Sequence, residues 1–281
     1  MARILEARPL TPVTKLFRLD APLIASAARP GQFVMLRVRE GGERIPVTIA
    51  DNDRATGTIT IVVQEVGATT RRLCALGSGD EILDVVGPLG TPVAIPAGGH
   101  VVGVGGGFGT AALLCLMREL SARGDRTTAV LGARTKDLLI LEDELRAACT
   151  DVEICTDDGS AGFHGFVTQR LEQLVAGDGP GRPDHVIAIG PMVMMRAVAE
   201  LTRPHGIHTL VSMDPLMIDG TGMCGGCRVL VGGRSLFACV DGPVFDAHAV
   251  DFAVAMRRTK AYAREEKVAL ERLACAAPGA A

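Results

Sequence analysis

Asp219, Cys224, Cys227 and Cys239 stand in one short stretch, MIDGTGMCGGCRVLVGGRSLFACVDG, separated by four, two and eleven residues. Three thiolates and a carboxylate at that spacing can hold iron. Plant-type [2Fe–2S] ligation uses C-x4-C-x2-C followed later by a fourth cysteine, and here an aspartate takes the first position. Iron(III) is hard enough to accept a carboxylate oxygen. Gly220, Gly222, Gly225 and Gly226 let backbone amides turn inward toward bridging sulfides. Carboxylate donates less electron density than thiolate, so the pattern predicts a higher cluster potential than a four-cysteine site would have. The competing chemistry for these residues is structural zinc on the three cysteines, completed by a carboxylate or by His248. The remaining cysteines, Cys74, Cys115, Cys149, Cys155 and Cys275, are scattered among apolar neighbours and read as small buried hydrophobes.

A second group of residues suits a nucleotide. GVGGGFGTAAL places Gly105, Gly106, Gly107, Gly109 and Thr110 between an apolar strand and a helix. Glycine lets the backbone approach a pyrophosphate, and the helix start offers free N–H groups with a positive dipole end. TDDGSAGFHG follows another strand and brings Asp157 and Asp158, while GPMVMM follows a third and brings Gly190 and Pro191. Ligands on open parallel sheets sit outside the carboxyl ends of the strands, so three such loops can share one ligand. Each loop taken singly is also ordinary turn chemistry. In GARTKD, Arg134 and Lys136 suit a 2′-phosphate and Asp137 a free ribose hydroxyl, which leaves the choice of dinucleotide open.

A third group lies nearer the amino end. ERIPVTIAD joins Arg44, Pro46, Val47, Thr48 and Ile49 on one strand, a fixed cation beside a rigid edge and a hydroxyl. Arginine pairs bidentately with a diphosphate, and a backbone amide or hydroxyl can reach a flavin ring edge. QEVGATTRRL then opens a short helix with Gly67, Thr69 and Thr70, a natural anion seat. Either stretch alone reads equally as a solvated arginine and an N-cap threonine.

These groups need scaffolds, and the hydrophobic pattern supplies two. Residues 1–96 read as short Val- and Ile-rich strands bounded by Gly, Pro and Asp, as in FVMLRV, GTITIVVQEV and DEILDVVGPLG, which predicts a small antiparallel barrel. Over 97–210, strands alternate with helices, which predicts a parallel sheet with right-handed crossovers. The AGDGPGRP segment, 176–183, reads as a loop. Residues 211–245 form the glycine- and cysteine-rich lobe, and 246–281 carry helical periodicity with mixed charge. In that last segment Arg257, Arg258, Lys260, Arg264, Glu265 and Glu266 read as a solvated helix face or one turned toward a partner.

Composition excludes several classes. With 281 residues, 48% hydrophobic and 22% charged, the chain is globular and long enough for two domains. A net charge of −3 and 3% aromatic content fit neither phosphate neutralisation nor base stacking, which argues against nucleic acid. No apolar run reaches the roughly 20 residues of a membrane span. The first residues, MARILEARPLTPVTKLFRLD, lack the apolar core of a secretory signal, so a cytoplasmic location is expected.

In this order, RxPxT, GxTT, GGGxGTAAL, TDDGSxGxxG and GPxxMM resemble the ferredoxin-reductase-like flavoproteins over essentially the whole chain. The cysteine-rich lobe is similar to that of the electron-transfer subunit of class B dihydroorotate dehydrogenase. It is more similar still to that of the small subunit of NADH-dependent reduced ferredoxin:NADP oxidoreductase, or sulfide dehydrogenase, a branch with aspartate where the dihydroorotate branch has cysteine. The resemblance implies FAD on the barrel through Arg44, Val47, Thr48 and Ile49, with Gly67, Thr69 and Thr70 at its pyrophosphate. It implies NAD(H) at Gly105 to Thr110, Asp157, Asp158 and Gly190, with Thr48 positioning the flavin ring. It further implies a NAD(P)H-dependent oxidoreductase subunit that hands electrons to a larger flavoprotein partner, and through that partner to ferredoxin. Two other readings stay open: service to a dihydroorotate dehydrogenase subunit, and a zinc-stabilised regulatory module without redox activity.

Overall fold

The computed structural model describes residues 1–177, 181–259 and 261–275. Lys260, part of the 176–183 loop and the Cys275 side chain therefore lie outside the described residues. Seven strands build the first sheet: β1 (Ala2–Thr11), β2 (Thr14–Asp20), β3 (Phe33–Arg37), β4 (Arg44–Asp53), β5 (Thr58–Gln64), β6 (Glu81–Ile82) and β7 (Asp84–Leu89). They run in the order β6-β1-β2-β5-β4-β3-β7, antiparallel throughout, as a near-closed barrel. Alternate side chains point inward, so Phe17 and Leu19, Val34 and Leu36, Ile59 and Ile61 fill one core. Helices α1 (Pro22–Ala27) and α2 (Ala68–Ala75) close it with Ile24, Ala25, Leu73 and Cys74.

The second sheet begins with β8 (His100–Gly106), β9 (Arg126–Ala133), β10 (Asp151–Thr156), β11 (Phe163–His164), β12 (His185–Ile189) and β13 (His208–Ser212). Its crossovers carry α3 (Thr110–Ala122), α4 (Glu142–Ala148), α5 (Val167–Ala176) and α6 (Met192–Thr202). Then comes a two-stranded hairpin, β14 (Arg228–Val231) with β15 (Arg234–Phe237), and a return strand, β16 (Val244–Asp246). The sheet order is β11-β10-β9-β8-β12-β13-β16, parallel except that β16 runs antiparallel to β13. Strands covered on both faces need apolar residues at every position. Val102, Val104, Val130, Val186 and Ala188 enter one core with α5 and α6, whereas Val101, Ala129, Leu131, Ile187 and Ile189 enter the other with α3 and α4. Each fully buried Leu or Ile stabilises by about 1.5–3 kcal/mol relative to an exposed one.

The barrel and the parallel sheet share these cores. Leu16, Ala50 and Val62 of the barrel join the α3 side, and Arg118 of α3 pairs with Asp51 of β4. Phe33 and Met35 of β3 join the other side together with Cys227, Val229, Ala238 and Cys239. Helices α7 (Phe252–Arg258) and α8 (Ala263–Cys275) end the described chain. Among the described residues no helix is long and apolar enough to cross a membrane.

Candidate functional site

The parallel strand order changes direction between β8 and β12, where ligand crevices open on such sheets. The glycine turn after β8 and the Gly190–Pro191 turn after β12 meet there. A Cβ on Gly109 would lie 2.2 Å from the Ile189 carbonyl oxygen, and one on Gly190 would lie 3.0 Å from the Gly106 Cα. One on Gly106 would lie 2.9 Å from Pro191 Cδ, and one on Gly105 would lie 2.9 Å from Thr110 Oγ1. Gly109 and Gly190 are therefore demanded by backbone packing, whereas Gly105 and Gly106 make room for neighbouring side chains. Gly107 differs: its φ is +53° and nothing lies within 4 Å of its would-be Cβ, so its backbone faces open space. Behind it a single helical turn, Gly107–Gly109, runs directly into α3, and the Thr110 amide donates to the Gly107 carbonyl.

Asp157 and Asp158 follow β10, two strands from β8. Their amides are donated to the Ala133 and Arg134 carbonyls, which locks the loops after β9 and β10 together. The Asp158 carboxylate accepts from the Ser160 hydroxyl and amide, and those bonds hold its pKa below the usual carboxylate range. The structure thus brings Gly105 to Thr110 against Gly190 and Pro191, with the two aspartates at the outer end of the same edge.

On the barrel, β4 pairs with β3 so that Thr48 faces Phe33, Val47 faces Val34 and Pro46 faces Met35. Val47 and Ile49 are buried, Thr48 is half-buried and Arg44 is exposed. Next to this strand stands the start of α2. The Thr69 hydroxyl donates to the Glu43 carboxylate at 2.6 Å, tying α2 to the residue before Arg44. The Thr70 hydroxyl caps its own helix by accepting from the Val66 and Gly67 amides. Nothing lies within 4 Å of a Cβ built on Gly67, so the helix start is open to a ligand. A guanidinium, an open helix start and a half-buried hydroxyl on one rigid strand pair suit a flavin diphosphate and ring.

In the lobe the four expected ligands form two pairs. The Cys227 and Cys239 Sγ atoms are 3.1 Å apart and buried, 1% and 2% exposed. Burial, with Cys227 alongside, pushes the Cys239 thiol up to about 12. Cys224, at the surface, is joined to Asp219, whose carboxylate accepts from the Thr221 amide at 2.8 Å and the Cys224 amide at 2.6 Å. These amides, Thr221 first, hold the Asp219 pKa down. The Gly226 amide donates to Cys224 Sγ at 3.4 Å, and the Gly222 amide lies against Cys239. Among the described residues no three His, Cys, Asp or Glu groups converge on one point, the arrangement a single zinc ion requires. His248, the alternative zinc ligand, is instead bonded to Thr202 at 3.0 Å. A two-iron cluster uses two protein ligands on each iron, so a pair is the appropriate unit. Sulfurs sharing one tetrahedral metal at 2.3 Å stand about 3.7 Å apart, so the Cys227–Cys239 pair needs to open by only about 0.6 Å.

The lobe sits on the barrel. A Cβ on Gly220 would lie 2.6 Å from Met35 Cγ and 3.0 Å from Leu89 Cδ1. Thr91, just beyond β7, donates its amide to the Gly242 carbonyl at 2.6 Å and its hydroxyl to the Val240 carbonyl at 2.8 Å. Sequence reasoning missed Met35, Leu89, Thr91 and the cluster-side Arg258, which donates to the Gly226 carbonyl at 3.0 Å. Only the run of positive charge at 257–258 marked any of them. Of the scattered cysteines, Cys74, Cys115 and Cys155 are buried and Cys149 is half-buried. Burial pushes Cys115 up to about 12, which makes it an inert hydrophobe.

Comparisons with known proteins agree with this geometry. Residues 214–251 match the family model described as the iron-sulfur cluster binding domain of dihydroorotate dehydrogenase B. A Thermotoga maritima protein named dihydroorotate dehydrogenase B (NAD(+)), electron transfer subunit homolog, is 46% identical over 256 residues, 91% of this chain and 89% of that one. A Methanocaldococcus jannaschii protein named as a probable subunit of the same kind is 36% identical over 245 residues, 87% of this chain and 88% of that one. A solved structure of NADH-dependent reduced ferredoxin-NADP oxidoreductase, studied for flavin-based electron bifurcation, superposes with a TM-score of 0.92 at 40% identity, covering 98% of each chain. The chain belongs to the family of dihydroorotate dehydrogenase B electron transfer subunits and their homologues, built on the ferredoxin-reductase-like fold.

Proposed function

We propose that this chain is the NADH-handling electron-transfer subunit of a larger flavoprotein complex of the ferredoxin:NADP oxidoreductase or sulfide dehydrogenase type. The observation that carries the reading is the seating of the iron–sulfur loop on the flavin strand pair. Gly220, next to Asp219, packs on Met35 of β3, and Met35 is the register partner of Pro46 on β4, two residues from Thr48. On this reading one rigid piece of backbone would hold both redox centres.

In this reading residues 1–96 hold FAD, 97–210 hold NAD(H), 211–245 hold the [2Fe–2S] cluster and 246–281 form a helical tail. Arg44 and the α2 start, with Gly67, Thr69 and Thr70, bind the flavin diphosphate. Val47, Thr48 and Ile49 line the ring, and Thr48 orients it. Gly105 to Thr110 with Gly190 and Pro191 bring the nicotinamide end to the flavin, while Asp157 and Asp158 stand farther out along the sheet edge. Asp219 and Cys224 serve one iron, Cys227 and Cys239 the other. Flavin, when bound, supplies the exchange between hydride chemistry and single-electron chemistry. The protein would act in the cytoplasm. Strict membrane association on fractionation is the result against that location.

The solved structure covering 98% of the chain favours the ferredoxin:NADP oxidoreductase type of partner. The family model over 214–251 keeps a dihydroorotate dehydrogenase subunit as the second reading. Anaerobic purification of the native complex tests both. Flavin and iron–sulfur absorption, two irons and two acid-labile sulfides per chain, and a co-purifying large subunit are expected. Colourless protein lacking iron and sulfide overturns the redox reading. A large subunit that oxidises dihydroorotate decides for the second partner.

A further inference from the structure

We propose that Arg258 is a positioning residue for the iron–sulfur loop and an electrostatic tuner of the cluster. The inference rests on the cluster reading above and adds a role outside the ligand set. The sequence marks Arg258 only as one of several charges on a solvated helix face. In the structure it turns back onto the loop between Cys224 and Cys227.

The helix that carries it is a short fixed strut. The Asp251 carboxylate caps α7 by accepting from the Val254 amide at 2.9 Å. The residues before the helix are stitched to the hairpin that follows Cys227. The Asp251 amide donates to the Leu230 carbonyl at 2.9 Å, the Gly232 amide to the Ala249 carbonyl at 2.7 Å, and Val250 bridges to Val231. Phe252 and Ala255 are buried in the core that also contains Cys227 and Cys239. From the far end of this strut Arg258 Nη2 donates to the Gly226 carbonyl at 3.0 Å.

That single bond sets a peptide plane. In a trans peptide the carbonyl and the following N–H point in opposite directions. Holding the Gly226 oxygen toward Arg258 therefore turns the Cys227 amide away from Arg258, where it would be free to donate to a bound cluster. The peptide follows Gly226, which has no side chain to resist its turning over, so an external anchor selects one orientation.

Charge gives Arg258 a second effect. Its cationic guanidinium forms no ion pair among the described residues. With Arg228 it borders a cavity of about 340 Å³ whose wall includes Cys224, Gly225 and Gly226. The four cluster ligands are all anionic, and reduction adds one more negative charge. A nearby unpaired cation favours the reduced form and raises the potential.

The test uses the full chain with its cofactors, comparing wild type with Arg258→Ala and Arg258→Lys by redox titration and by iron release to a chelator. Wild type must first analyse for two irons and two sulfides; if it does not, the cluster reading itself has failed. Given a loaded wild type, Arg258→Ala is expected to move the midpoint to a more negative value. Its iron release should be about tenfold faster, in line with losing a partner outside the ligand set. Arg258→Lys should keep most of the potential, because it keeps the charge, and lose most of the retention, because the anchor is gone. An unaltered flavin spectrum and melting temperature show that the variants are folded. A folded, loaded Arg258→Ala protein with wild-type midpoint and wild-type iron release overturns the proposal.

Discussion

The two glycine-rich regions look alike as sequence and are built for different reasons. Around Gly105 to Gly109 the glycines other than Gly107 let neighbouring segments pack closely, and a methyl on Gly109 would overlap the Ile189 carbonyl at 2.2 Å. The crevice there is a by-product of a fully packed sheet and stands ready before any ligand arrives. In the lobe, Gly222 has φ +85°, and the nearest atom to its would-be Cβ is the movable end of Val240, 2.8 Å away. That loop is shaped by hydrogen bonds to Asp219, by Arg258 and by the metal it is to hold. Packing glycines report on stability, and conformational glycines report on the ligand.

Four experiments would break or sharpen this contrast, beginning with the largest effect. Cys227→Ser should abolish the cluster and leave flavin reduction by NADH intact; retained iron–sulfur absorption would show that the buried pair is not the ligand pair. Gly109→Ala should destabilise the fold by about 3 kcal/mol or more, since it overpacks against backbone that has nowhere to go. Gly222→Ala should cost only about 1–2 kcal/mol for its left-handed backbone, and show more in iron retention than in denaturant midpoint. Equal stability losses in the two variants would erase the distinction. Asp219→Cys should lower the cluster midpoint, because thiolate donates more strongly than carboxylate; an unchanged midpoint would remove Asp219 from the ligand set.

The smallest effect concerns pH. His100, His185 and His248 all have pKa values lowered chiefly by burial, so folding favours their neutral forms. Below about pH 6.5 the unfolded chain takes up protons before the folded one does. Their contribution is complete above that pH and is lost as the pH falls through the lowered folded values. The urea midpoint should therefore drop between pH 7.5 and 5.5, and His100→Gln, removing the ring bonded to Thr128, should flatten that drop. An identical slope in the variant would remove His100 from the account.

Legibility in the sequence followed the range of the interactions. The parallel strands read clearly because burial on both faces forces continuous apolar runs such as VVGVGG and TTAVLGA. The first two strands did not: β1, ARILEARPLT, carries charges and a proline on a half-exposed ribbon, which looked like broken apolar fragments. The lobe's cysteines were legible as a candidate ligand set because their spacing is local. Their grouping into two pairs was not, since it depends on a loop folded around Asp219. Likewise the Arg258 contact spans 32 residues of sequence, and the Met35 platform under Gly220 lies on another domain.

The antiparallel pairing of β16 with β13 determines how freely the cluster can travel. Leu210, Val211 and Ser212 leave the sheet beside the very residues, Asp246, Phe245 and Val244, by which the chain comes back. The lobe is therefore a loop whose two stems are stapled side by side, with a third staple to the barrel at Thr91. A carrier mounted this way is a fixed relay and not a swinging arm. Electron passage should proceed by tunnelling over a set gap, and solvent viscosity should leave its rate unchanged.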